Sequence, residues 1–254
     1  MKTYPNKIPL FYTKSLSKKF GGLQALLSLN ISVYRRDIYG IIGPNGAGKT
    51  TLLNIITGLL KSSSGQIFFS DERIDELKPQ QIFEKGISRT FQEGKIIPDL
   101  NVLENIMTGL LNKNKKGRQS QNIFYKENKN VTRSQEILRK FNLQSMAERW
   151  AEDLVWYERQ LVQIARAVAS EPKLLLLDEP TAGMGSDEVK KIGDKLIEIN
   201  KAGVTIMLVS DDIQFIRRIA NRIAVLDFGQ KVSEGNSKQV LEDTKVQEVY
   251  LGSG

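Results

Sequence analysis

The chain has no cysteine and no histidine in 254 residues. Without cysteine no disulfide can form, which suits a reducing compartment such as the cytosol. Without histidine, any step that needs an imidazole must do without one, and this bears on one position below. No apolar run is long enough to span a bilayer. The opening stretch, MKTYPNKIPL, has no signal-peptide core. No internal repeat of solenoid period is seen. What remains is ordinary for a soluble globular protein: 40% hydrophobic and 26% charged residues, enough for one large domain or two lobes around a real core. The net charge of +8 suits an anionic partner such as nucleotide, nucleic acid or acidic lipid, or else is solubility charge on a solvated surface.

The richest stretch is Gly43-Pro44-Asn45-Gly46-Ala47-Gly48-Lys49-Thr50-Thr51. It follows a short apolar run, Ile38–Ile42, and precedes a helical pattern of Leu52, Leu53, Ile55, Ile56 and Leu59. Strand, glycine loop and helix start come in the order a phosphate cradle requires. Glycines let the backbone wrap so that successive N–H groups face an anion, and the new helix adds its positive end. Lys49 is placed to reach terminal phosphates, and the Thr50 hydroxyl to hold Mg²⁺. A bare strand–helix turn does not need the full G-x-x-x-x-G-K-T spacing.

Upstream, Pro9–Thr13 and Leu29–Tyr34 read as strands around Lys18–Gly22. Phe20 is either a stacking platform for a base or a core residue. Downstream, Gln66–Ser70 and Gly86–Phe91 read as strands, with Pro79 opening a helix and Gly86 stopping it. Gln92 follows the second of these strands, either as a plain loop residue or as an amide near Mg²⁺ and water. Asn101 and Glu104 have the spacing of a reciprocal helix cap. Residues 112–133 are rich in Lys, Asn and Gln and read as a basic surface loop, or as a polyanion site.

An amphipathic helix spans Glu158–Ala169. Leu174–Leu177 then forms a strand buried on both faces, ending in Asp178 and Glu179. Acids in that place lie where open parallel sheets hold their ligands; the alternative is a surface acid cluster. A helix from Ser186, a buried strand Val204–Ser210, then Asp211 and Asp212, follow. Arg222–Phe228 and Gln230–Glu234 form a hairpin near Gly229, and short helices close the chain after Ser237. Alternating apolar strands and helices predict an α/β fold with a parallel sheet.

The chain resembles the ATPase subunits of ABC transporters, and among them those of branched-chain amino acid importers. The carrying segments are Lys19–Gly22, Gly43–Thr51, Gly86–Gln92, Val102–Asn105, Ile164–Arg166, Leu174–Thr181, Phe228–Gly235 and Val249–Gly252. The resemblance implies a P-loop NTPase core with a parallel sheet, an N-terminal antiparallel β-subdomain and an inserted helical lobe. It implies one ABC ATPase domain over 1–254, with a nucleotide-binding core (1–94 and 170–254) and a helical subdomain (95–169). ATP and Mg²⁺ are the implied ligands. Phe20 would stack on adenine, Gly43 to Thr51 would form the Walker A loop, and Gln92 would sense Mg²⁺ and water. Asp178 would bind Mg²⁺ through water, and Glu179 would be the general base. Implied partners are transmembrane permease subunits and a second ABC ATPase, with the chain peripheral on the cytoplasmic face of the cell membrane. Nucleic acid is not an expected partner, because ABC factors acting on ribosomes or DNA carry two cassettes or long coiled coils.

Three positions depart from the family pattern. The signature, LSGGQ or LSYGE, reads Leu154-Val155-Trp156-Tyr157-Glu158. Val155 and Tyr157 stand where a serine and a glycine would approach the partner subunit's γ-phosphate, and Tyr157 is expected to obstruct that approach. Trp156 and Tyr157 either supply stacking or a hydroxyl, or pack within the lobe. Asp211 stands at the switch-histidine position, where an ionised carboxylate repels a phosphate. Gly185 stands at the D-loop Asp or Asn position. Family members dimerise head to tail, so Asp211 weakens the site this chain builds and the signature weakens the site its partner builds. A heterodimer is therefore expected.

Overall fold

The computed structural model describes residues 8–91, 95–110 and 123–251. Two sheets organise them. In the first, antiparallel sheet, β1 (Phe11–Phe20) lies between β2 (Leu23–Leu29) and β5 (Ser64–Phe69). β3 (Ser32–Val33) pairs with β1, and β6 (Glu72–Arg73) with β5. The second sheet runs β11 (Gln230–Asn236), β10 (Arg222–Asp227), β4 (Ile38–Ile42), β9 (Thr205–Val209), β8 (Leu174–Asp178), β7 (Ile87–Arg89). Its strands from β10 to β7 are parallel, and β11 is antiparallel to β10.

Every residue of β4, β8 and β9 is buried, as their unbroken apolar runs require. Alternate side chains feed two cores. Leu174, Leu176, Ile41 and Met207 join the antiparallel sheet and α1 (Lys49–Ile56). Leu175, Leu177, Ile42 and Leu208 join a helical layer. That layer includes α3 (Val102–Leu110), α4 (Ile123–Phe141), α5 (Trp156–Ala169), α6 (Ser186–Lys201) and α7 (Ile213–Ile219). Between β7 and β8 the described elements are helices, joined by turns and one bridge, Asn101 to Trp150. α2 (Pro79–Glu84) has proline at its start, and α8 (Ser237–Leu241) and α9 (Thr244–Leu251) close the chain. No described helix is long and apolar enough to cross a membrane. The reciprocal cap forms as expected: the Glu104 N–H donates to Asn101 Oδ1 at 2.8 Å, and the Asn101 N–H to Glu104 Oε2 at 2.9 Å.

Three elements differ from the expectation. β2 is a strand, although in LQALLSL only Leu26 and Leu29 are fully buried. Its pairing with β1 shifts register on both sides of Lys18, so the period-two pattern is broken. Second, the supposed loop 112–133 is helical from Ile123 onward, while residues 111–122 lie outside the described residues. The buried stripe that fixes this helix, Ile137, Leu138 and Phe141, sits in its last turns. Third, α7 follows Asp212 directly. Asp212 Oδ1 accepts from the Phe215 N–H at 2.9 Å, and Phe215, Ile216 and Ile219 are buried.

A polar network closes the N-terminal ends of β4 and β10. Arg222 Nη1 donates to Asp37 Oδ2 and Arg222 Nη2 to Glu234 Oε1, both at 3.0 Å. The Tyr34 N–H and Asn221 Nδ2 also donate to the Asp37 carboxylate. The Tyr39 hydroxyl donates to Glu234, and burial beside that carboxylate pushes its pKa well above the usual tyrosine value. Removing Asp37 leaves Arg222 with Glu234 but takes the acceptor from the Tyr34 N–H and Asn221 Nδ2. Asp37→Ala is therefore expected to cost about 1–3 kcal/mol in urea unfolding, the cost of stranding buried donors.

Candidate functional site

The glycine loop joins the end of β4 to α1, as the motif requires. Two of its glycines are forced. A Cβ on Gly43 (φ +153°) would lie 2.1 Å from the Leu226 carbonyl oxygen. One on Gly48 (φ +97°) would lie 2.5 Å from the Ala25 carbonyl oxygen in β2. The unforeseen strand thus braces the loop from behind. Pro44 and Ala47 close its turn through a backbone bond, while Asn45, Gly46 and Thr50 are exposed and Thr51 is half-buried. Lys49 is buried and folded onto the loop, donating to the Gly43 and Pro44 carbonyls at 2.6 and 3.1 Å. Burial lowers its pKa, against the attraction of Glu179, Asp211 and Asp178.

Those three acids stand at the C-terminal ends of the neighbouring strands β8 and β9. Asp178 is buried: Oδ2 accepts from Arg89 at 2.8 Å, and Oδ1 has no partner. Glu179 takes a left-handed backbone (φ +46°), a conformation that costs about 1–2 kcal/mol and turns the chain sharply after β8. Its N–H donates to the Val209 carbonyl, and its Oε2 accepts from the Asp211 N–H at 3.3 Å. Burial, then the Asp211 charge, pushes the Glu179 carboxyl up to about 7. The orphaned Asp178 oxygen suits a water held by a divalent cation. No group of three or more acids among the described residues forms a metal cage, so Mg²⁺ would rest on few protein ligands plus phosphate and water, as it commonly does.

Phe20 ends β1 beside the Gly21-Gly22 turn and is 44% exposed, which removes the core reading. Lys18 Nζ lies 4.8 Å from its ring centroid. Gln92 lies outside the described residues. In the signature stretch Leu154 is buried and Val155 caps α5, 61% exposed, its N–H donating to Glu158. The Trp156 indole N–H donates to the Ala182 carbonyl at 2.8 Å. Tyr157 packs half-buried against the helical core with Lys191 over its ring, and burial raises its hydroxyl pKa. Tyr157 serves packing here, whereas Trp156 is 38% exposed and is tethered through its indole N–H. Gly185 caps α6 with open space where a Cβ would stand.

Two functional candidates were absent from the sequence reading. Arg89 bonds Asp178 from the end of β7. Gln163 of α5 grips the residue before Gln92: its Oε1 accepts from the Phe91 N–H at 3.2 Å and its Nε2 donates to the Phe91 carbonyl at 2.8 Å. The available signal was a polar residue where an apolar one belongs: Arg89 in a short core strand, and Gln160 and Gln163 on the buried face of an amphipathic helix.

A family model described as ABC transporter matches residues 26–182. The high-affinity branched-chain amino acid transport ATP-binding protein LivG of Escherichia coli K12 is 32% identical over 250 residues, spanning 96% of this chain and 98% of its own. The crystal structure of an ABC-transporter ATP-binding cassette in its ADP conformation superposes with a TM-score of 0.83 at 31% identity, covering 96% of this chain and 99% of its own. A dimeric cassette in a post-hydrolysis state, bound to ADP and phosphate, does so with 0.77 at 28% identity, covering 89% and 98%. With the glycine loop, its lysine and the acids at the ends of β8 and β9 in one place, these matches settle the family: the chain belongs to the ATP-binding subunits of ABC transporters.

Proposed function

We propose that this chain hydrolyses ATP to energise a permease importing branched-chain amino acids, from the cytoplasmic face of the membrane. The observation that carries the chemistry is Lys49 in the field of Asp178, Glu179 and Asp211. The substrate class rests on the similarity to LivG. The backbone N–H groups of the loop from Gly43 to Thr51, Pro44 excepted, cradle the phosphates, and Lys49 exchanges two carbonyls for phosphate oxygens. Thr50 and Gln92, with Asp178 through a water, would hold Mg²⁺, which would draw charge off the phosphate oxygens. Glu179 takes the proton of the attacking water, and Phe20 stacks on adenine. The nucleotide-binding core comprises 1–94 and 170–254, and 95–169 forms the helical subdomain facing the permease.

The partner ATPase is a different chain that supplies an intact signature and switch residue. A second reading, an ATP-gated clamp with little turnover, would rest on Val155 and Asp211, since neither a valine side chain nor a carboxylate offers a donor to a phosphate. Titration with MgATP tests the shared premise. Lys49→Ala removes charge-assisted bonds to phosphate and is expected to weaken binding by about 100-fold. Equal affinity in the variant would overturn both readings.

A further inference from the structure

Arg89 is buried, and its guanidinium joins three pieces of the site. Nη2 donates to Asp178 Oδ2 at 2.8 Å. Nη1 donates to Asn54 Oδ1 at 2.7 Å and to Thr57 Oγ1 at 3.3 Å, at the end of the helix that starts at the phosphate loop. The guanidinium carbon lies 4.8 Å from the Phe91 ring centroid. An arginine and a carboxylate commonly meet through two parallel bonds. Here the guanidinium takes one oxygen only, and Asp178 Oδ1 stays buried and unpartnered. Burying a cation and stranding an anion's oxygen are both unfavourable unless something else completes the site.

We propose that Arg89 is a positioning residue for the divalent cation: it locks Asp178 through Oδ2 and reserves Oδ1 for the metal's water. This rests on the ATP-site reading above. The neighbour of a metal-binding carboxylate commonly sets its orientation, and losing such a neighbour costs about 10- to 100-fold in metal affinity. Lysine cannot replace the fork, because one ammonium cannot hold Asp178 and Asn54 in the same plane.

The test uses the full chain as wild type, Arg89→Lys and Arg89→Met. A fluorescent ATP analogue is titrated in EDTA, and Mn²⁺ is then titrated into the protein–nucleotide complex and followed by its paramagnetic resonance. Metal-free nucleotide affinity should stay within about twofold, while Mn²⁺ affinity falls about 10-fold or more in Arg89→Met and by an intermediate amount in Arg89→Lys. Unchanged Mn²⁺ affinity and an unchanged spectrum in Arg89→Lys would overturn the proposal, even if Arg89→Met failed to fold. Equal loss of metal-free binding would also overturn it, by making Arg89 a prop for the phosphate loop. If wild type bound no nucleotide in either condition, the ATP-site reading itself would fall.

Discussion

Glu179→Gln is expected to cut ATP turnover by about 10²- to 10⁴-fold, the range typical of losing a general base. The same substitution should raise the melting temperature at pH 8. Both effects come from one environment. Burial, Asp211 and Asp178 push the Glu179 carboxyl up to about 7, while Lys49 and the Asp211 N–H pull it down. In the unfolded chain the group titrates near its ordinary 4.5. Between those two pH values the folded chain holds a proton that the unfolded chain has released. Stability therefore falls as pH rises through that window, and the full penalty is present above about 7. Glutamine carries no such penalty, and its carbonyl can still accept from the Asp211 N–H. The variant should melt above wild type at pH 8 and approach it below about pH 4, where the glutamate is largely neutral folded and unfolded. Turnover kept within about threefold would remove Glu179 from the base role.

What could be read in the residues was local. The glycine loop is legible because its spacing is the structure: Gly43 and Gly48 stand where no side chain fits. Asp178 and Glu179 are legible because four leucines force a buried strand that must end in the ligand crevice. Long-range pairing was not legible. Arg89 meets Asp178 only because β7 lies beside β8 in the sheet, a neighbour relation that periodicity does not encode. β2 was hidden by its broken alternation, so its support of Gly48 was hidden too. Trp156 and Tyr157 had two readings each, and the contacts separate them: Tyr157 packs against the helical core, while Trp156 stays partly exposed with its indole N–H on the Ala182 carbonyl.

The purified chain is expected to hydrolyse ATP about 10²- to 10³-fold more slowly than its complex with a partner ATPase that carries an intact signature and switch histidine. Each composite site of such a dimer would draw phosphate donors from both chains. Val155 offers an exposed hydrocarbon side chain at the start of α5, and its own N–H is already taken by Glu158. Asp211 places a carboxylate beside Glu179 where an imidazole would donate. Each missing donor to a developing phosphate charge is worth about 10²–10³ in rate. Two copies of this chain would put both losses at both sites, whereas pairing with an intact partner leaves one loss at each. Restoring the donors together, Val155→Ser with Asp211→His, should recover at least about tenfold turnover in the pure chain. Val155→Ser alone should leave nucleotide affinity unchanged, whereas Asp211→His should also tighten it by removing a carboxylate that repels phosphate. Brisk, cooperative hydrolysis by the unmodified chain alone would instead mean that Trp156, Tyr157 or another group supplies the missing donors, and the requirement for an unlike partner would fall.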